Sequence, residues 1–260
     1  MLESLQSCGM LVRFALLFSL VAFVSPAAVA EGPAGAAVHS PMTLSQVVNT
    51  MMERNVERAR ALESYSERRV YTIAYTGIPK DFRARMVVDM TYRAPGSKIF
   101  TVVSESGPKW AVNEILKRLT RTEEQAQQAK NKKNVDLNTI NYDFSNLEYQ
   151  PVTDGCSYSL WVQPKRHSKY LYRGRIWVND RDFAVCRVEA RPSKTPSFWI
   201  LDTTISHRYH KVGKFWLPVS DKSVSNIRFG GKATLTILYL DTKIIAAQPI
   251  QANSDVLPEM

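Results

Sequence analysis

The sequence is poor in the residues from which reactive centres are built: of its 260 residues three are cysteine and four histidine. His39, His167, His207 and His210 are scattered apart from the last two. On a strand that spacing points the two rings to opposite faces, so no shared metal is expected. No GxSxG elbow occurs, because Gly155-Cys156-Ser157-Tyr158-Ser159 lacks the second glycine. Gly230-Gly231-Lys232 lacks the surrounding GxxxxGK pattern and reads as a tight turn rather than a phosphate loop. Asp180 and Asp182 fall in a hairpin turn, where such residues cap their own backbone. The sequence therefore implies neither an enzyme nor a metal or cofactor.

Long apolar runs are scarce too. Phe14 to Val24 is one, preceded by Arg13 and followed by Pro26 and a small-residue stretch ending at Ala30. It is too short to span a bilayer comfortably and fits an export signal over residues 1–30, which places the mature protein in the periplasm. Leu5-Gln6-Ser7-Cys8 resembles a lipidation box but precedes the hydrophobic segment instead of following it. Residues 31–41, rich in Gly, Ala and Pro, form a flexible leader, residues 42–247 one domain, and residues 248–260 a tail.

Acidic residues are also outnumbered, with a net charge of +10. Glu3 and Arg13 cancel within the signal, so the mature chain keeps the excess. Its partners are expected to be anionic, such as an acidic membrane surface or protein, and not nucleic acid, for which no motif is present. The basic runs Lys130 to Lys133 and Lys165 to Lys169 occupy predicted loops, where the default is a solvated surface.

What is abundant is alternation. Tyr170, Tyr172, Ile176 and Val178 are apolar on one side of a strand, with Arg173 and Arg175 between them. Asn179 to Asp182 turns the chain, and Ala184, Cys186, Val188 and Ala190 return on one face. The same period marks Tyr71 to Tyr75, Phe82 to Tyr92, Ile99 to Glu105, Tyr142 to Tyr149, Cys156 to Val162, Phe198 to Tyr209, Phe215 to Val224 and Lys232 to Lys243. In such a meander Cys156 and Cys186 lie on strands either side of Ile176. Two strand spacings, about 9–10 Å, exceed the roughly 7 Å a disulfide allows, which predicts two buried free thiols.

Two helices interrupt the strands. Thr43 with Gln46 makes a capping box for an amphipathic helix carrying Leu44, Val48, Met51, Met52, Val56 and Leu62 on one face. Pro108 opens a second, with Val112, Ile115, Leu116 and Leu119 together, running into a segment from Thr120 to Asn134 that is polar all round. The fold class is α+β: a curled antiparallel sheet of about 9–11 strands, a half-open barrel with helices covering its concave face. Helix face and strand parity select Met51, Met52, Met86, Val88, Met90, Leu160, Ile176 and Val178 as the lining of an apolar concavity. Phe198-Trp199 and Phe215-Trp216 fit a rim or an end-cap.

With its signal peptide, leading helix and one-sided meander, and above all in GRIWVNDRDFAVCRVEARP and KVGKFWLPVS, the chain resembles the outer-membrane lipoprotein-sorting protein family. The resemblance implies a half-open barrel with a helical lid, a cavity sheltering a lipoprotein acyl chain or another lipid, and a membrane-bound donor or acceptor. It further implies a lid-locking arginine, for which Arg69, Arg83 and Arg85 are candidates. A regulatory or envelope-protein binding module on the same fold is the alternative.

Overall fold

The computed structural model describes residues 42–126, 135–168, 170–194, 198–228 and 230–246. The expected signal, leader and tail, and the Lys130 to Lys133 run, lie outside them. Helix α1 spans Leu44–Ala61 and begins as its sequence demands: Gln46 N donates to the Thr43 side chain, and Thr43 N donates to Gln46 Oε1 at 2.8 Å. The chain passes from α1 straight into β1, Leu62–Gly77, then β2, Phe82–Arg93, and β3, Ser97–Ser106. A helical insertion follows, made of α2, Lys109–Ala111, a π-helical turn, Val112–Leu116, and α3, Lys117–Ala126. Seven strands complete the chain: β4 (Tyr142–Tyr149), β5 (Tyr158–Pro164), β6 (Tyr172–Val178), β7 (Val185–Pro192), β8 (Ile200–Val212), β9 (Phe215–Ile227) and β10 (Gly231–Ala246).

All ten strands join one antiparallel sheet in the order β3-β2-β1-β10-β9-β8-β7-β6-β5-β4. The strand count agrees with the alternation, and ten antiparallel strands with two helical segments fit the expected half-open barrel; the sheet is open and uncurled, which corrects the expected curl. Among the described residues β3 pairs with β2 and β4 with β5, each on one side alone. The physical reason lies in the insertion between these two edge strands. Its helices bury apolar residues against the sheet, so the burial that closure would provide is already met.

Residues directly opposite across antiparallel strands share a face, which makes the faces traceable through the register. One row runs Met86, Tyr71, Ile237, Asp221, His207, Val188, Ile176, Leu160. At one end of this face Val47, Val48 and Met51 of α1 pack with Leu160, Ile176 and Val178; at the other Val112, Ile115 and Leu116 pack with Tyr71, Met86 and Val88. Both helical segments therefore lie on the same face. Two cores result, rather than one.

The cysteines require a second correction. Cys156 and Cys186 form a disulfide, with Cα atoms 6.2 Å apart. The free-thiol expectation put Cys156 on a strand opposite Ile176, but β5 starts later, with Tyr158 opposite Val178. Cys156 thus sits at the level of the β6–β7 loop, where Gly155 O accepts from Asp180 N at 2.7 Å. A β-bulge places Trp177 opposite Arg187 and Val178 opposite Val185, so Cys186 is the extra residue between them. Gly155 has φ +73°, and a Cβ there would stand 2.6 Å from Asn179 Nδ2, so a side chain would push this approach apart.

Candidate functional site

The middle of the helix-bearing face is polar. Thr203 and His207 of β8 and Asp221, Ser223 and Ser225 of β9 are all buried, at 7% exposure or less, and separate the two apolar cores. Thr203 Oγ1 and Ser225 Oγ lie 2.8 Å apart; Asp221 accepts from Tyr239 Oη at 2.5 Å and faces His207 Nδ1 at 2.5 Å. Burial, then the Asp221 charge, raises the Tyr239 phenol well above its usual value, which keeps it a donor.

Next to this strip is a buried ion cluster. Arg69, inward on β1, donates from Nε to Glu67 at 2.7 Å and from Nη1 to Glu123 of α3 at 2.7 Å and to Tyr71 at 3.3 Å. Its guanidinium also lies over the rings of Phe100 and Tyr239, at 5.3 and 4.8 Å. Lys98 Nζ completes the set, 2.5 Å from the other oxygen of Glu123. Of the three arginines proposed from the resemblance, Arg69 is buried and tied to the helical insertion, whereas Arg83 and Arg85 are exposed on the opposite face.

Burial alone would raise the Glu123 carboxyl, but Lys98 and Arg69 outweigh it and bring the pKa from 4.5 to about 2. A depressed carboxylate pKa stabilises the fold above its unfolded value and ceases to do so as pH falls through the folded one. Glu67 has the opposite sign: burial raises its pKa despite Arg69, so its protonation on acidification relieves a cost. Since Glu123 is the partner on the helix, α3 should detach between pH about 4.5 and about 2 while the sheet persists. Amide exchange across Lys117–Ala126 from pH 5 to pH 2 checks this; unchanged protection in α3 would contradict it.

A second polar centre holds α1. Arg58 donates to the carbonyls of Asp182 and Phe183 at 2.7 and 3.2 Å, and Asp182 accepts from Lys211 at 3.0 Å and from Trp216 Nε1 at 3.0 Å. Turn chemistry is present here as well, with Asn179 Oδ1 accepting from the backbone N–H groups of Arg181 and Asp182. Asp182 thereby joins the β6–β7 loop to the β8–β9 turn. Its carboxyl pKa is lowered because Lys211 and Trp216 outweigh the cost of its burial.

At the far end of the same face lies an apolar cavity of 720 Å³, its walls including Ile73, Phe82, Trp110, Ile115, Trp199 and Ile200. Trp110 meets Phe82 edge-on at 4.7 Å and remains 54% exposed; Trp199 is 48% exposed. Lys80, Asp81 and Glu114 supply polar groups to the same cavity. The π-helical turn, a form that recurs at binding sites, contributes Ile115 and Glu114.

The eight residues selected from the sequence divide between the cores. Met51, on the buried face of α1, packs with Leu160, Ile176 and Val178 of the sheet, and Met86 and Val88 lie beneath the π-helical turn. Met90 is buried beside the Arg69 cluster's strand, and Met52 is half-buried against the α1 core, at a second cavity of 450 Å³ that includes Arg58, Leu137 and Trp216. Missed from the sequence were Phe82, Trp110 and the Arg69–Glu123 pair. Of the Phe198-Trp199 pair, which the sequence offered as a rim or an end-cap, Trp199 lines the 720 Å³ cavity.

Fold and site together define a class: an open antiparallel sheet with two helical segments on one face and an apolar cavity beside one of them. Among solved structures the chain is similar to a LolA superfamily protein from Nitrosomonas europaea, at 12% identity and TM-score 0.32, with 80% of this chain and 96% of that one covered. It is similar to a DUF1329 family protein from Desulfovibrio piger, at 11% identity and TM-score 0.37, covering 77% of this chain and 92% of that one. A putative outer membrane lipoprotein-sorting protein domain from Vibrio parahaemolyticus gives 10% identity, TM-score 0.34 and coverages of 77% and 92%. No protein-family model and no curated protein matches the sequence. Likeness at this level assigns no ligand, and the functional reading rests on the chain's own geometry.

Proposed function

We propose that this chain is a non-catalytic periplasmic carrier, exported by residues 1–30, which holds a lipoprotein acyl chain or another lipid on the helix-bearing face. The observation that supports the reading is the 720 Å³ cavity with its two half-exposed tryptophans. Its size is that of small-molecule sites, which combine apolar walls with a few polar groups. Each methylene that leaves water contributes about 0.8 kcal/mol, so an acyl chain gains most from such walls. Lys80 would face an anionic headgroup. Parting of the helices from the sheet would extend the cavity along Met86, Val88 and Met90 on one side and along Met51, Met52, Leu160, Ile176 and Val178 on the other. A membrane-bound donor or acceptor would load and unload it.

Trp110→Ala tests this with little risk to folding, because the side chain is half-exposed. The variant should bind a fluorescent fatty acid at least about tenfold more weakly than the parent, and change stability by less than about 1 kcal/mol. Extraction and mass spectrometry of the parent, purified from its periplasm, should recover a lipid in stoichiometric amount.

A second reading, an envelope-protein binding module without lipid cargo, is favoured by β3. That edge strand exposes Ile99, Val102 and Val103 at 58%, 44% and 49%, a template for a partner's strand. Folded parent protein that yields no lipid and shows no fatty-acid binding would decide for it.

A further inference from the structure

The face turned away from the helices carries a different chemistry. Trp161, Arg175, Glu189, Ser206 and Lys222 form one cross-strand row there, and Trp177, Arg187 and Arg208 the next. Two arginine pairs stand directly opposite one another, Arg173 with Arg191 and Arg187 with Arg208. Like charges so placed destabilise a sheet unless an anion lies between them.

The acidic residues of this face do not supply that anion to all of them. Glu148 holds Arg175 at 2.7 and 3.2 Å, Glu189 holds Arg187, Asp89 holds Arg68 at 2.7 and 2.9 Å, and Asp202 accepts from Asn226. Arg173, Arg191, Arg208 and Lys222 are exposed and have no carboxylate partner among the described residues. Between Trp161, Trp177, Arg173 and Arg191 lies a cavity of 420 Å³. Trp177 forms its wall with Arg187 stacked 4.5 Å above the ring, and Trp161 is 39% exposed.

Exposed arginine pairs match phosphate oxygens, and half-exposed tryptophan beside them has the amphipathic character of residues at a membrane interface. The basic surface is broad as well: Arg83 and Arg85 on β2 extend it to six strand spacings from β6, about 29 Å. Charge spread in two dimensions over a sheet suits a layer of headgroups better than one acidic peptide strand.

We propose that this face docks the protein on an anionic phospholipid bilayer, with headgroup phosphates bridging the facing arginines and Trp161 at headgroup depth. The helix-bearing face and its cavity then remain turned away from the bilayer. The docking does not depend on whether that cavity holds lipid.

The test uses the chain as recovered from cells and its co-sedimentation with vesicles of phosphatidylcholine, with or without roughly one-third phosphatidylglycerol. Any contribution of the apolar N-terminal run is common to every variant and to the neutral vesicles. Arg173→Gln with Arg191→Gln should reduce partition onto the anionic vesicles about thirtyfold, with no loss of thermal stability, since a repulsive pair has gone. Arg54→Gln with Arg60→Gln, the same charge removed from α1, should reduce it less than about threefold. Equal losses in the two double variants would reduce the effect to net charge and overturn the proposal. So would binding to soluble polyglutamate without binding to the anionic vesicles, which would assign the face to an acidic protein instead.

Discussion

Replacing Arg69 with methionine should destabilise the protein by about 3–5 kcal/mol, the usual cost of removing one partner of a buried ion pair. The methionine fills much of the same space, so the loss is electrostatic. Arg69 and Glu67 are 2% and 0% exposed at their side chains, and Glu67 Oε2 already has no hydrogen-bond partner. Without the guanidinium, Glu67 is left as a buried carboxylate in the same cluster as a second one, Glu123, with Lys98 the remaining cation of the cluster among the described residues. A domain of this size loses about 2–4 °C per kcal/mol, so the melting temperature should fall by roughly 10 °C. Restoring neutrality with Glu67→Met beside Arg69→Met should recover most of that. Thermal unfolding of the two variants at neutral pH provides the check, and a single variant within 1 °C of the parent would mean that water reaches Glu67.

This cluster also marks where sequence reasoning reached its limit. Alternation from Phe82 to Tyr92 gave β2 with its inward residues Ala84, Met86, Val88 and Met90, all of them buried. On β1 the same parity points Glu67 and Arg69 inward, and two charged residues on an apolar face look like a failed alternation. They are a buried pair, whose partner Glu123 lies in a stretch polar all round, which reads equally as a solvated helix extension or a mobile loop. Contact with Arg69 and Lys98 gives that stretch a reason to be helical as far as Ala126. Asp221, Ser223 and Ser225 were legible in principle: three polar residues at every second position of a strand must share a face, and here they divide the core. The apolar cavity was not legible, because Trp110 and Trp199 come from segments far apart in sequence and line one cavity only once the sheet is assembled. Nor did strand number foretell an open, uncurled sheet, since that depends on where the inserted helices come to rest.

Reduction of the Cys156–Cys186 disulfide should cost about 3–4 kcal/mol, because the two residues are separated by 30 positions and closure of such a loop in the unfolded chain is lost. The native state adds its own dependence on the bond. The loop from Asn179 to Ala184 contains Phe183, a non-glycine residue at φ 50°, and presents the carbonyls of Asp182 and Phe183 to Arg58 of α1. Left-handed backbone at a phenylalanine persists only where its surroundings hold it, and the disulfide ties this loop to Gly155 and Cys156. Loosening the loop should therefore weaken the grip on α1 and expose the core beneath it, Leu160, Ile176 and Val178. Cys156→Ser with Cys186→Ser should lower the melting temperature by roughly 10 °C and raise amide exchange in the C-terminal turns of α1 more than in β1 or β10. Thiol titration of the unfolded, unreduced parent is the companion measurement: no reagent should be consumed at these two positions. Consumption at both would restore the free thiols that strand parity alone predicts, and with them a β5 that begins at Cys156.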